Sequence, residues 1–283
     1  MKKIGTPLII ISLCVLIVVV LFVPGIKTSN KKVPAKSSLN SDAPKLANFD
    51  SLELKAAVSL PQDIKKDWEF LHKEMQLTSH DSDKLRTMNS LGMLWNSQRN
   101  YGIAGIYSYK IAELKPSFKN WIFTAQSFYA GTLIANSKEE ILLYAVKGEQ
   151  AARKAMALDV ESNEAKNLLA EHLIAQDKKS EGMPEYIPLL LQVLKKDSNN
   201  VQALYNLGMQ AIKSGQLEKA KARFEKLIRL QPSLPDNYSY LADIYVRMGN
   251  AKDAVANYEK CLSLTKDPIK AEEIKIKIKE IKH

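Results

Sequence analysis

Four histidines and two cysteines are the chain's whole supply of imidazoles and thiols. His80, Asp81 and Asp83 place one imidazole and two carboxylates within four residues, donor types that a divalent cation accepts. The stretch around them is polar throughout, from Thr78 to Asp83, so solvation accounts for the charges without a cation. Glu139-Glu140 could supply paired carboxylates for acid–base chemistry. The pair opens an apolar-periodic run, however, where acids complement a helix dipole. His172 falls inside a helical stripe, a place for a surface or hydrogen-bonded core imidazole. Cys14 lies in an apolar run and Cys261 in a helical one, so they do not pair, and Cys261 reads as a small buried hydrophobe. No glycine-rich phosphate loop, zinc-protease histidine pair, nucleophile elbow or dinucleotide fingerprint occurs. The sequence predicts no enzyme, no metal site and no cofactor. Binding is the chemistry that remains.

The elements that would position a binding surface announce themselves by period. Gly215 is echoed by Gly249, Ala220 by Ala254, Phe224 by Tyr258 and Leu230 by Leu264, each 34 residues on. One such unit is a pair of antiparallel helices that cannot bury its apolar side alone, so neighbours stack into a solenoid. Gly208 and Ala242 are small where the two helices of a unit cross, and Ala220 and Ala254 let the second helix approach the first. Gly215 and Gly249 suit a left-handed helix C-terminus, and Pro232 ends a unit where no amide donor is needed.

Charge excludes one class of partner. The net charge is +10. Residues 1–45 hold seven lysines against one acid, Asp42, and the rest of the excess is spread without a block. Phosphate affinity needs clustered cations, so no nucleic acid is expected.

Those basic residues flank an uncharged run, residues 4–23, long enough at about 20 residues to cross a hydrocarbon core. The rival is a cleaved secretory signal, but Phe22-Val23-Pro24-Gly25 is a poor cleavage site. Residues 1–26 are therefore expected to be a single-pass transmembrane anchor, contacting the membrane through residues 4–23. Lys2 and Lys3 argue for a cytoplasmic N-terminus, whereas Lys27, Lys31, Lys32 and Lys36 count the other way. The short basic head favours the first orientation. That places the chain in a bacterial inner membrane with its soluble part on the periplasmic side. Residues 27–48, rich in Lys, Ser and Pro, form a flexible tether.

The repeat residues carry a family resemblance. Val201–Leu234 resembles a tetratricopeptide repeat through Leu204, Leu207, Gly208, Gly215, Ala220, Phe224, Leu230 and Pro232. Pro235–Pro268 repeats it with Tyr238, Leu241, Ala242, Tyr245, Gly249, Ala254, Tyr258 and Leu264. Leu85–Phe118 keeps Leu91, Gly92, Trp95, Ala104, Leu114 and Pro116. Lys119–Glu161 and Asn163–Asn200 resemble lengthened units, the latter with its extra residues near Lys178–Pro184. The resemblance implies an all-α fold, a right-handed helix-turn-helix solenoid of about five units over residues 85–268. Residues 49–84 would be N-terminal capping helices, and residues 269–283 a C-terminal capping helix. More loosely, the whole chain resembles membrane-tethered tetratricopeptide proteins of the Bacteroidetes type.

The resemblance also implies a partner surface. First helices line the concave face of such arrays, at offsets 2, 5, 9, 12 and 13 of the repeat. Mapped here, those positions are Arg86, Asn89 and Met93 in unit one, and Glu164, Asn167 and Glu171 in unit three. Unit four offers Gln202, Tyr205, Met209, Ile212 and Lys213; unit five offers Asp236, Ser239, Asp243, Val246 and Arg247. Tyr and Met among charges of both signs suit a protein or peptide partner, with apolar anchors for affinity and charges for register. Asn206 sits where the family's carboxylate clamp has an asparagine, but the clamp's cations are missing. The expected function is a membrane-tethered interaction scaffold with no small-molecule substrate. The alternative is a fixed subunit of a cell-envelope assembly of the cytochrome-maturation, secretion or division type.

Overall fold

The computed structural model describes residues 49–177 and 182–282. The expected anchor and tether lie outside the described residues. Among those described, no helix is long and apolar enough to cross a membrane. Thirteen helices follow one another there: α1 (Phe49–Ala57), α2 (Gln62–Leu77), α3 (Asp81–Ser97), α4 (Tyr101–Leu114), α5 (Phe118–Ile134), α6 (Lys138–Leu158) and α7 (Asn163–Ala175), then α8 (Tyr186–Lys196), α9 (Val201–Lys213), α10 (Leu217–Leu230), α11 (Pro235–Arg247), α12 (Ala251–Leu264) and α13 (Pro268–Lys282). The chain is all-helical over these residues. Helices α3 to α12 form five sequential pairs, each helix packed on its neighbours in the chain.

Local chemistry sets the starts. Asn100, Ser117, Ser137, Ser162, Asn200 and Asn250 each accept, through a side-chain oxygen, the amide three residues on, satisfying a donor the helix leaves orphaned. Glu140 adds a reciprocal bond, accepting the Asn136 N–H at 3.0 Å. That is the work of one member of the Glu139-Glu140 pair.

The turns inside the units, the α5–α6 turn excepted, hold a left-handed residue. Gly215 and Gly249 take φ of 74° and 75°, and the residue after each donates back to the carbonyl five positions earlier, Gln216 to Ala211 at 2.8 Å and Asn250 to Tyr245 at 2.9 Å. Arg99, with φ of 57°, plays the same part in unit one, where Asn100 donates to Trp95 at 2.9 Å. Asp177, past the end of α7, is also left-handed, with φ of 45°.

Close approach explains the small residues at the crossings. A Cβ on Gly208 would stand 2.9 Å from the Phe224 ring, so α9 and α10 meet there with no room for a side chain. Gly208→Leu is expected to overpack this crossing and cost about 1–3 kcal/mol. A lowered unfolding temperature of the purified chain checks it; an unchanged melt would break the assigned register.

The N-terminal helices are fastened by a buried carboxylate. Glu53 on α1 is 3 % exposed, and its Oε1 accepts three bonds: Trp68 Nε1–H at 2.8 Å, Trp95 Nε1–H at 3.0 Å and Tyr107 O–H at 2.6 Å. These donors come from α2, α3 and α4, so one side chain ties the cap to the first unit. Around it runs a core of Leu91, Ile103, Ile106, Phe128, Leu143 and Leu169, all essentially sealed from solvent.

Candidate partner-binding groove

Helices α3, α5, α7, α9 and α11 are the first helices of the five units. Along their shared face, many of the expected positions are engaged by residues about one repeat away. Tyr205 O–H and Tyr240 O–H lie 3.2 Å apart, with their rings edge to face. Arg247 Nη1 donates to the Ile212 carbonyl at 2.6 Å, and Lys213 pairs with Asp177. Asp236 pairs with Lys270, and Asp243 pairs with Lys277 at 2.8 Å while accepting the Tyr258 hydroxyl. Each of these five links, Tyr205–Tyr240, Lys213–Asp177, Arg247–Ile212, Asp236–Lys270 and Asp243–Lys277, spans about one repeat, 34 to 36 residues. The capping helix α13 therefore takes the place of a sixth first helix and covers the acids of unit five.

Unit three is tighter still. Asn167 and Glu171 are 8 % and 6 % exposed, so they sit beneath the face. Asn167 Nδ2 donates to Asn200 Oδ1 at 3.0 Å, and Glu164 accepts from Gln126 at 2.7 Å. Burial pushes the Glu171 carboxyl up to about 7, against the opposing pull of the Asn206 amide. Its neighbour His172 is sealed, its ring seated where a Cβ on Gly148 would come within 1.9 Å. The His172 Nε2–H donates to the Ala125 carbonyl at 3.0 Å, and burial lowers its pKa to about 4. His172 is thus a neutral core residue. Gln202, Met209, Ile212 and Ser239 are half-buried, and Val246 is exposed.

Unit one is the open end of this face. Arg86 is exposed, paired with Glu74 at 3.2 Å and Asp83 at 3.4 Å. Asn89 is exposed, with its Nδ2 donating to the Leu85 carbonyl at 2.9 Å. Met93 is 74 % exposed, and across from it on α5 Phe123 is 59 % exposed. Between them opens a pocket of about 190 Å³, floored by Ala104, Ser108 and Ile111 of α4. Every residue lining it is uncharged, Asn89, Asn96 and Asn120 supplying its amides. A dry cavity of about 150 Å³ holds benzene, so this volume takes one leucine- or phenylalanine-sized side chain. Phe123 was not among the expected positions. An aromatic beside Gly92, Ala104 and Ser108 was the available clue: small residues at a helix crossing leave space that a large exposed neighbour frames.

The described residues hold no group of three or more His, Cys, Asp or Glu placed to grip a metal ion. His80 caps the start of α3, with Asp81 and Asp83 in its first turn.

Comparison with known proteins supports this architecture. Tetratricopeptide repeat models match residues 189–222 and 236–268. The second coincides with the α11–α12 pair. The first runs from α8 into α10, half a unit out of phase, because alternating helices can be divided either way. The chain carries tetratricopeptide repeats, and neither matching model names a catalytic activity. No curated protein matches the chain. Among solved structures, PilW, described as a widely conserved type IV pilus biogenesis factor, is similar at 18% identity and TM-score 0.53, over 72% of this chain and 87% of its own. A thermophilic TPR protein of Thermus thermophilus is similar at 15% identity and TM-score 0.51, over 70% and 98%. MamA from Desulfovibrio magneticus RS-1 aligns at 19% identity and TM-score 0.49, over 64% and 95%. At these identities the first two show the fold.

Proposed function

We propose that the chain is an interaction scaffold that holds an extended or helical segment of a protein partner along its first-helix face, with the open pocket of units one and two as the anchor point. The observation that supports it most directly is that pocket: an uncharged hole of about 190 Å³ framed by an exposed methionine and an exposed phenylalanine. Burying one such anchor stabilises a complex by about 1.5–3 kcal/mol, and methionine adapts its shape to the guest. In units three to five the face is largely satisfied by its own ladder, so those residues set its rigidity and outline more than its affinity. The uncharged run of residues 4–23 belongs to the same proposal as a membrane anchor in a bacterial inner membrane, with the array on the periplasmic side. Tethering would raise local concentration, so a weak contact could suffice.

A second reading, a fixed subunit of an envelope assembly, draws on the N-terminal cap. Val58, Phe70 and Leu77 are 78 %, 69 % and 75 % exposed, the first in the α1–α2 turn and the others on α2. Large apolar side chains left in water are the mark of a permanent interface.

Crosslinked capture of the full chain from its native membranes separates the two. Met93→Glu with Phe123→Glu puts charge on the pocket rim and is expected to cut capture of the groove partner at least about tenfold, since a buried unpaired charge costs several kcal/mol. Capture unchanged by this pair but lost in Phe70→Glu would overturn the groove reading in favour of the second.

A further inference from the structure

Two carboxylates on the first helix of unit three have no cation. Glu164 and Glu171 lie two turns apart on one face of α7, about 10 Å along its axis. No lysine or arginine stands within ion-pair distance of either among the described residues. The first helices on each side bring one cation apiece, Lys119 at the start of α5 and Lys213 at the end of α9, and Lys213 is taken by Asp177. In unit five the face settles its acids itself, Asp236 with Lys270 and Asp243 with Lys277. In a chain of net charge +10, two acids left alone on this face are out of keeping.

Burial sharpens the contrast. Glu164 is exposed at the rim, whereas Glu171 lies at the floor, where desolvation and no neighbouring cation governs its carboxyl. Ionised there, it has only the Asn206 amide to set against its lost hydration, so a cation gains more from it than from a surface acid. An independent observation comes from Asn167, on the same side of α7 between the two acids and more than nine-tenths buried. Asn200 Oδ1 already accepts the Ala203 N–H, so Asn167 meets it with its nitrogen, and the Asn167 oxygen is left without a donor. The floor of unit three is thus rich in acceptors and short of donors, an imbalance that a guest bearing N–H groups corrects. This floor also adjoins the apolar pocket. Gln126, which donates to Glu164 at 2.7 Å, lies on α5 between the pocket residues Phe123 and Ser127.

We propose that unit three receives the basic part of the partner segment, two lysine or arginine side chains paired with Glu164 and Glu171 while an apolar neighbour fills the pocket of units one and two. An extended chain rises about 3.3 Å per residue, so cations that meet both acids sit about three residues apart. This rests on the groove reading and gives its occupant a chemistry: one large apolar residue beside two spaced cations.

Anisotropy titration of the purified full chain at pH 8 tests it, with a labelled, capped peptide carrying one leucine and, beyond it, two lysines at that spacing. A peptide with glutamates in place of the lysines is the control. The lysine peptide is expected to saturate, and to weaken as salt rises, although the chain's overall charge repels it. Glu164→Gln combined with Glu171→Gln should weaken it about tenfold or more. Glutamine keeps each side chain's outline, and removing the buried charge favours the fold at pH 8, so the loss reads as lost pairing. Equal binding of the two peptides, or a lysine peptide indifferent to the double variant, overturns the proposal. Met93→Ala with Phe123→Ala strips the pocket rim without adding charge. If that pair weakens the lysine peptide while the glutamine pair does not, the groove reading stands and this one falls; if neither pair matters, both fall.

Discussion

Replacing Glu53 by alanine should destabilise the fold by about 3–5 kcal/mol, the largest loss expected from any single truncation in the chain. The reason is the number of donors that depend on one oxygen. Trp68, Trp95 and Tyr107 all donate to Glu53 Oε1, and all three are buried. Truncation removes a modest net gain per bond but leaves three polar hydrogens in an apolar enclosure, each costing about 1–3 kcal/mol. Urea melts of the full chain followed by fluorescence read the effect twice. The midpoint should fall, and emission should shift to the red before the main transition, because two of the three tryptophans depend on this carboxylate. Glu53→Gln keeps an acceptor oxygen while adding donors to a crowded site, so an intermediate loss is expected. A melt of Glu53→Ala within about 0.5 kcal/mol of wild type would show that α1 is not held by this hub.

Nothing local in the sequence marks Glu53. Its partners lie 15, 42 and 54 residues away, and a glutamate in a short helix reads as solvated. The repeats were legible for the opposite reason: the left-handed turn demands glycine at Gly215 and Gly249, and the tight crossing demands it at Gly208, so geometry is written in residue type. Where Arg99 and Asp177 accept the same backbone at some strain, that mark disappears and the early units fade. The face of the first helices was legible as a face. Its self-sufficiency was not, because the offsets say which way a side chain points and not whether a neighbour one repeat away will take it. The spacing of Asp236 to Lys270 and Asp243 to Lys277, 34 residues in each case, was visible in the Lys-rich tail but looked like surface charge. The pockets depend on gaps between three elements at once, and no periodicity reports a gap.

Adjacent residues in α7 should pull stability in opposite directions with pH. His172 has its pKa lowered by burial from 6.5 to about 4, so the unfolded chain binds the extra proton between those values. Its contribution is present above pH 6.5 and is lost as pH falls towards 4. Glu171 has its pKa raised by burial from 4.5 to about 7, so the folded chain is the better proton binder there. Its protonated form stabilises the fold at low pH, and that contribution is lost as pH rises from 4.5 through 7. Each shift corresponds to about 3 kcal/mol at most. Between pH 4.5 and 6.5 the two slopes nearly cancel, and this pair leaves the wild-type profile flat. Glu171→Gln should lift stability at pH 8 by up to about 3 kcal/mol and expose the rising His172 slope below pH 6.5. His172→Gln should lose stability overall, since it forfeits the fit over Gly148, and should then decline further as pH rises from 4.5 to 7. Urea midpoints across pH 4 to 8 for the three proteins decide it. Parallel profiles in all three would show that neither group titrates in the folded chain as its burial requires.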